Sequence, residues 1–184
     1  MKVLYAILSV CMFVCVNSAT ASTVYPFRSA NAELTVINTD NINNRTERDL
    51  ICLARNIYHE SRGQSEANQR AVAWVTRNRA HITERGLCEV VFENNRVNGR
   101  KVAQFSWTMH RHNGGMERES WDQAQRLAYQ VTRASDREDP TRGATHFHER
   151  SFRPVWSRRG VHHQTIGAHV FLRIPQYVEL AQAR

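Results

Sequence analysis

A chain of 184 residues with a formal net charge of +8 has room for one domain with a real core and too little for two ordinary ones. The basic balance favours an anionic partner, either an envelope polymer or an anionic membrane surface. Nucleic acid is disfavoured because the arginines are scattered and form no single block.

Lys2 precedes the apolar run Val3–Val16, whose 14 residues are too few for a comfortable membrane span. Ala19-x-Ala21 then completes a secretory signal peptide over residues 1–21, with cleavage expected after Ala21. Valine before Cys11 fits a lipobox poorly. Export is a second argument against nucleic acid, and it removes only Lys2 from the charge, leaving +7. The expected location is the cell envelope, secreted or periplasmic, with no stable membrane insertion once the leader is gone and the chain acting as a monomer. Cys52 and Cys88 survive processing. An even pair in an oxidising compartment predicts one disulfide, which closes a loop of about 36 residues and contributes ~3–4 kcal/mol by loop entropy.

Residues 22–45 are rich in Ser, Thr and Asn and read as a flexible arm in which Leu34–Ile37 can form a short strand. The domain proper is expected over 46–184. Thr46-x-x-Asp49 predicts a capping box, and Leu50, Leu53, Ala54, Ile57 and Tyr58 follow at helical spacing until Gly63. Ser65 predicts the next cap, with Ala67, Ala71, Val72, Trp74 and Val75 as the buried face and Arg77–Arg79 as the end. Cys88–Phe92 fits a short helix or a strand, and Asn94–Arg100 a turn around Asn98-Gly99. After Gln104–Trp107 and a loop over His110–Gly115, Ser120 predicts the cap of a third helix carrying Trp121, Ala124, Leu127, Ala128 and Val131, stopped by Asp139-Pro140. Gly143–His148 and Ile166–Leu172 predict two short strands separated by Pro154 and a basic loop, and Pro175 a last amphipathic helix with Tyr177, Val178 and Ala181. The fold class is mainly α, a single domain with a small two-stranded β element.

Glu60 stands at the end of the first helix, just before a glycine turn. Such a place holds one carboxyl at the lip of a cleft, where burial and the helix's negative end both disfavour the charged form. A protonated carboxyl is the minimum equipment for breaking a glycosidic bond. The alternative is a surface glutamate paired with Arg55 or Arg62.

The segment Ala54-x-x-Ile-Tyr-His-Glu-Ser-Arg-Gly63, followed by Gln69-x-Ala-Val-Ala-Trp-Val-x-x-Asn78-Arg79, resembles the SleB-like cell wall hydrolases, the family of spore-cortex lytic enzymes and related bacterial and phage proteins. The likeness continues through Cys88–Val91, Gln104–Ser106, Gly143–His148, Pro154-x-Trp156 and Ile166-Gly-Ala-His169-x-Phe171. The resemblance implies a lysozyme-like fold and cleavage between N-acetylmuramic acid and N-acetylglucosamine, with Glu60 at the position of the catalytic acid. One departure stands out: the family usually has a second glutamate after the glycine, where this chain has Gln64.

The partner is then a peptidoglycan glycan strand, and no cofactor is expected. Glu66, Glu89 and Asp122 read better as helix-end or surface charges than as a second catalytic carboxylate. That favours lytic transglycosylation by Glu60 alone over hydrolysis, which needs two carboxylates. Gln64, Gln104, Ser106, His146, His148, Trp156 and His169 are the expected substrate-binding residues. Tyr58, Trp107, Phe147 and Trp156 can each stack on sugars, half of them being expected in the core. Arg150, Arg153, Arg158 and Arg159 form either a solvated face or an attractant for anionic glycan. Two competing readings remain: a zinc-dependent amidase or peptidase built on His146, His148, His162, His163 and His169, although no ligand signature is complete, and a non-catalytic envelope-binding module.

Overall fold

The computed structural model describes residues 25–28, 34–37, 45–97, 99–110, 115–175 and 177. The expected leader, residues 111–114 and most of the expected last helix lie outside the described residues. Two strands, β1 (Tyr25–Arg28) and β2 (Leu34–Ile37), pair antiparallel. Four helices follow: α1 (Arg45–Ser61), α2 (Glu66–Thr83), α3 (Leu87–Val91) and α4 (Arg118–Arg133). Between α3 and α4 stand the hairpin β3 (Asn94–Val97) and β4 (Arg100–Ala103) and one 3-10 turn, Ser106–Met109. The chain closes with β5 (His146–Glu149), β6 (Val161–Ile166) and β7 (His169–Arg173), in the antiparallel order β5-β7-β6. The molecule is mainly α with some β, and the two expected strands, β5 and β7, are neighbours with β6 added beyond them.

The core is organised around α2. Leu53, Ala54, Ile57 and Tyr58 of α1 meet Ala73 and Trp74 of α2 and Trp121, Ala124, Leu127, Ala128 and Val131 of α4. On its other side α2 packs Ala71, Val72 and Val75 against Ala144 and Phe171 of the sheet region. Every residue from Ala71 to Thr76 is therefore buried, whereas the sequence suggested one buried stripe; Ala67, assigned to that stripe, is exposed. A third cluster, Cys52, Val91, Phe105 and Trp107, closes the end nearest α3, where Cys52 and Cys88 are disulfide-bonded with their Cα atoms 5.1 Å apart. Asn56, fully buried, ties three elements together. Its amide donates to Thr76 Oγ1 of α2 (3.0 Å) and its carbonyl accepts from Trp107 Nε1 (2.9 Å).

Several ends differ from expectation. Helix α1 begins at Arg45, so Thr46 lies inside its first turn, and Asp49 accepts the Cys88 N–H (2.9 Å) instead of closing a capping box. Helix α2 runs past Arg79 to Thr83 because Ala80 is still a core residue. Glu117 rather than Ser120 caps α4, accepting from the N–H groups of Glu119 and Ser120 (3.0 and 2.9 Å). That helix ends at Arg133, before Asp139-Pro140. Asp139 instead gathers the loop: its carboxylate accepts from Asn78 Nδ2 (2.9 Å), Thr141 N (2.8 Å) and Gly143 N (2.7 Å). The Ser65 cap stands, accepting from Asn68 N at 3.4 Å. Asn68 also joins the α1–α2 turn to the sheet, donating to Ile166 O (2.6 Å) and meeting His169 Nδ1 (3.0 Å), with Gly167 pressed against its side chain.

Candidate active site

Glu60 is the penultimate residue of α1. The helix stops one residue later, where Ser61 Oγ donates to Ile57 O (2.8 Å) and Gly63 takes φ +80°, a conformation open to glycine at no steric cost. The acid is thus carried by rigid helix and faces the space beyond it. Glu60 borders two hollows, one of about 370 Å³ and one of about 530 Å³, and is shared by both. Burial pushes its carboxyl up to about 7, because the ionised form is poorly solvated there. A larger hollow of about 1120 Å³ lies at the opposite end of α1 and α2, between Arg45, Asp49, His81 and Arg133, and contains none of the expected site residues.

The smaller lobe holds Gln64 and His169 with Glu60; the other holds Gln104, Ser106, His146 and Trp156. His148 lines neither. Its Nδ1 lies 2.8 Å from the Glu149 carbonyl and its ring edge stands on Trp156, 5.9 Å between centroids. Trp156 is 41% exposed at the groove, whereas Tyr58 and Trp107 are core residues. Tyr58 Oη accepts from Glu117 N and Arg62 Nη1, both at 2.9 Å. Trp107 stacks on His59. Phe147 packs between Phe105 and Phe171.

Hydrogen bonding fixes what the groove presents. Arg79, 1% exposed, is held by Glu93 (2.9 Å) and donates to Gln104 Oε1 (2.5 Å). Arginine can only donate, so the Gln104 carbonyl is committed to it and the amide N–H groups are the part left for a ligand. His146, 2.9 Å from Thr145 Oγ1, is pushed down to about 4, mainly by burial and secondarily by Arg79, so its ring is neutral near pH 7. Asn68 donates its amide to Ile166 O, so its carbonyl faces His169. The network therefore assigns the proton to His169 Nδ1 and leaves Nε2 as an acceptor. Burial lowers the His169 pKa as well.

Strand register divides the histidines. His146 pairs with Leu172 and His148 with Val170 on one face, while Phe147–Phe171 and Glu149–His169 occupy the other. His162 and His163 are exposed on β6. Among the described residues no three His, Cys, Asp or Glu side chains come together as a metal site, so the ligand set assumed for a zinc enzyme is dispersed.

Sequence reasoning passed over Glu149, which lines the smaller lobe together with Glu60. It sits one residue beyond His-Phe-His, and strand alternation alone puts it on the side of Phe147 and His169. The carboxylates weighed earlier are occupied elsewhere: Glu66 pairs with Arg70, Glu89 with Arg45 and Asp122 with Arg118. Arg79 was also missed, read as the end of a helix rather than as the support of Gln104.

A family model described as Cell Wall Hydrolase (Hydrolase_2) matches residues 63–172, more than half of the chain. No curated protein and no solved structure matches it.

Proposed function

This chain belongs to the cell wall hydrolase family, and from that membership we propose that it cuts peptidoglycan at the glycosidic bond between N-acetylmuramic acid and N-acetylglucosamine. The family match begins just past Glu60, so the acid's role rests on chemistry. The observation that carries it is a carboxyl held near pKa 7 by burial, on a helix end, bordering two hollows at once. A group poised there is protonated often enough to give its proton and basic enough to take one back. Glu60 protonates the glycosidic oxygen, the bond from muramic acid C1 to that oxygen breaks, and the glucosamine leaves as an alcohol. In lytic transglycosylation the Glu60 carboxylate then removes the proton from the muramic acid C6 hydroxyl, whose oxygen bonds to C1 and closes a 1,6-anhydro ring.

A second reading is favoured by Glu149. A carboxylate lining the same lobe can remove a proton from water as that water attacks C1, which is hydrolysis with two carboxyl groups. In either case the Gln104 amide N–H groups, neutral His146 and the exposed Trp156 ring line the binding path.

Digestion of purified sacculi followed by mass analysis tests both. Anhydro-muropeptides, lighter than the hydrolytic products by one water, support transglycosylation by Glu60 alone. Reducing-end muropeptides that disappear in Glu149→Gln support the second reading. Cut stem peptides with intact glycan would refute the glycosidase assignment.

A further inference from the structure

The connection from β5 to β6 is inside out. Its 3-10 turn, Val155–Arg159, buries Pro154 and Ser157 and turns the apolar side chains outward. Val155 is 75% exposed, Phe152 66% and Trp156 41%. The turn is held in this orientation from within: Ser157 Oγ donates to Pro154 O (2.7 Å), and Gly160 sits where an added Cβ would lie 2.0 Å from Leu172 Cδ1. A surface segment that buries a serine and exposes a valine and a phenylalanine is not explained by core packing.

The same segment is strongly cationic. Arg150, Arg153, Arg158 and Arg159 are all exposed, and no Asp or Glu occurs from Arg150 to Arg173. The ion pairs among the described residues use arginines 45, 70, 77, 79, 85 and 118, and none of these four.

We infer that residues 150–161 form a docking loop for the surface of an anionic lipid bilayer. Arg153 and Arg158 there meet lipid phosphates, while Phe152 and Val155 enter the headgroup–acyl boundary, and Trp156 stays on the groove side of the loop. A hydrated wall polymer supplies the counter-charge but offers nothing to Val155. The bilayer surface satisfies both halves of the loop at once. Because Trp156 and Arg159 also line the groove, docking sets the cleft against the membrane-proximal layer of the wall. The proposal does not depend on which carboxyl groups perform the cleavage.

The test uses the protein purified from a host that exports it. It is sedimented with vesicles of phosphatidylglycerol and phosphatidylcholine, with phosphatidylcholine alone, and with sacculi. Binding to the anionic vesicles is expected, weakening with salt. Phe152→Ser combined with Val155→Ser is expected to lower partitioning by about tenfold or more, and Arg153→Gln with Arg158→Gln by about tenfold. Thermal unfolding and cleavage of soluble glycan chains should be unchanged in both pairs. Equal vesicle binding by parent and variants, or no binding to anionic vesicles, overturns the proposal. A loss confined to sacculi overturns it too and assigns the loop to the glycan.

Discussion

Replacing Glu60 by Gln should abolish cleavage and yet stabilise the fold, and the stabilisation should depend on pH. The carboxyl rises from an ordinary 4.5 to about 7 in the folded protein. The sign follows from proton binding. Below pH 4.5 the group is neutral in both states and the raised pKa costs nothing. As pH climbs, the unfolded chain ionises first, so the native state loses ground until its own carboxyl titrates near 7, and above that the full penalty is present. At 1.36 kcal/mol per unit the ceiling is about 3 kcal/mol, and partial solvation reduces it to roughly 2–3 kcal/mol. The amide carries no charge at any pH. Urea unfolding of parent and Glu60→Gln, disulfide intact, should therefore give equal stabilities near pH 4, with the variant ahead by roughly 2–3 kcal/mol at pH 8.5. Parent activity should fall as pH rises through about 7 with loss of the proton. A stability difference that is flat from pH 4 to pH 8.5 would refute the claim that the Glu60 carboxyl is desolvated, whatever its absolute size.

Asn56→Ala leaves Trp107 Nε1 and Thr76 without their shared partner in the core and should lower stability by about 2–4 kcal/mol in urea titrations; a loss under 1 kcal/mol would mean the site rehydrates. Reducing Cys52–Cys88, or replacing both by Ser, should lower stability by about 3–4 kcal/mol, and two free thiols in the unreduced, unfolded protein would show that the bridge does not form. Gly160→Ala drives a methyl into Leu172 and should lower the melting temperature while Gly63→Ala, which meets nothing within 4 Å, strains only its positive-φ turn; equal shifts in the two would contradict the packing described for Gly160.

Legibility tracked how local the deciding physics was. Helix α1 with Glu60 at its end and the β5–β7 pair could be read because periodicity and turn chemistry act within a few residues, and the disulfide because only two cysteines lie beyond the expected leader. The cap at Ser120 was misplaced because Glu117, one turn earlier, is an equally good acceptor in one dimension, and the Thr46–Asp49 box because Asp49 is taken by Cys88 of α3, distant in sequence. Helix α2 looked one-sided since the sheet that covers its second face comes some seventy residues later. The hairpin β3–β4 was hidden by polar composition, Asn94 and Asn95 being poor strand formers, and only the sequence signal Asn98-Gly99 pointed to a turn. Glu149 and Arg79 escaped for a shared reason: each matters through a neighbour distant in sequence, Glu60 in one case and Gln104 in the other.

The Asn68 bridge joins two parts of the chain that border Glu60. One buried amide fastens the corner that follows Glu60 to the corner between β6 and β7, so two sides of the smaller lobe are tied at one point. For the proposed glycan substrate, adjustment at the smaller lobe is then expected first from exposed side chains such as Gln64 rather than from the corner that Asn68 ties down.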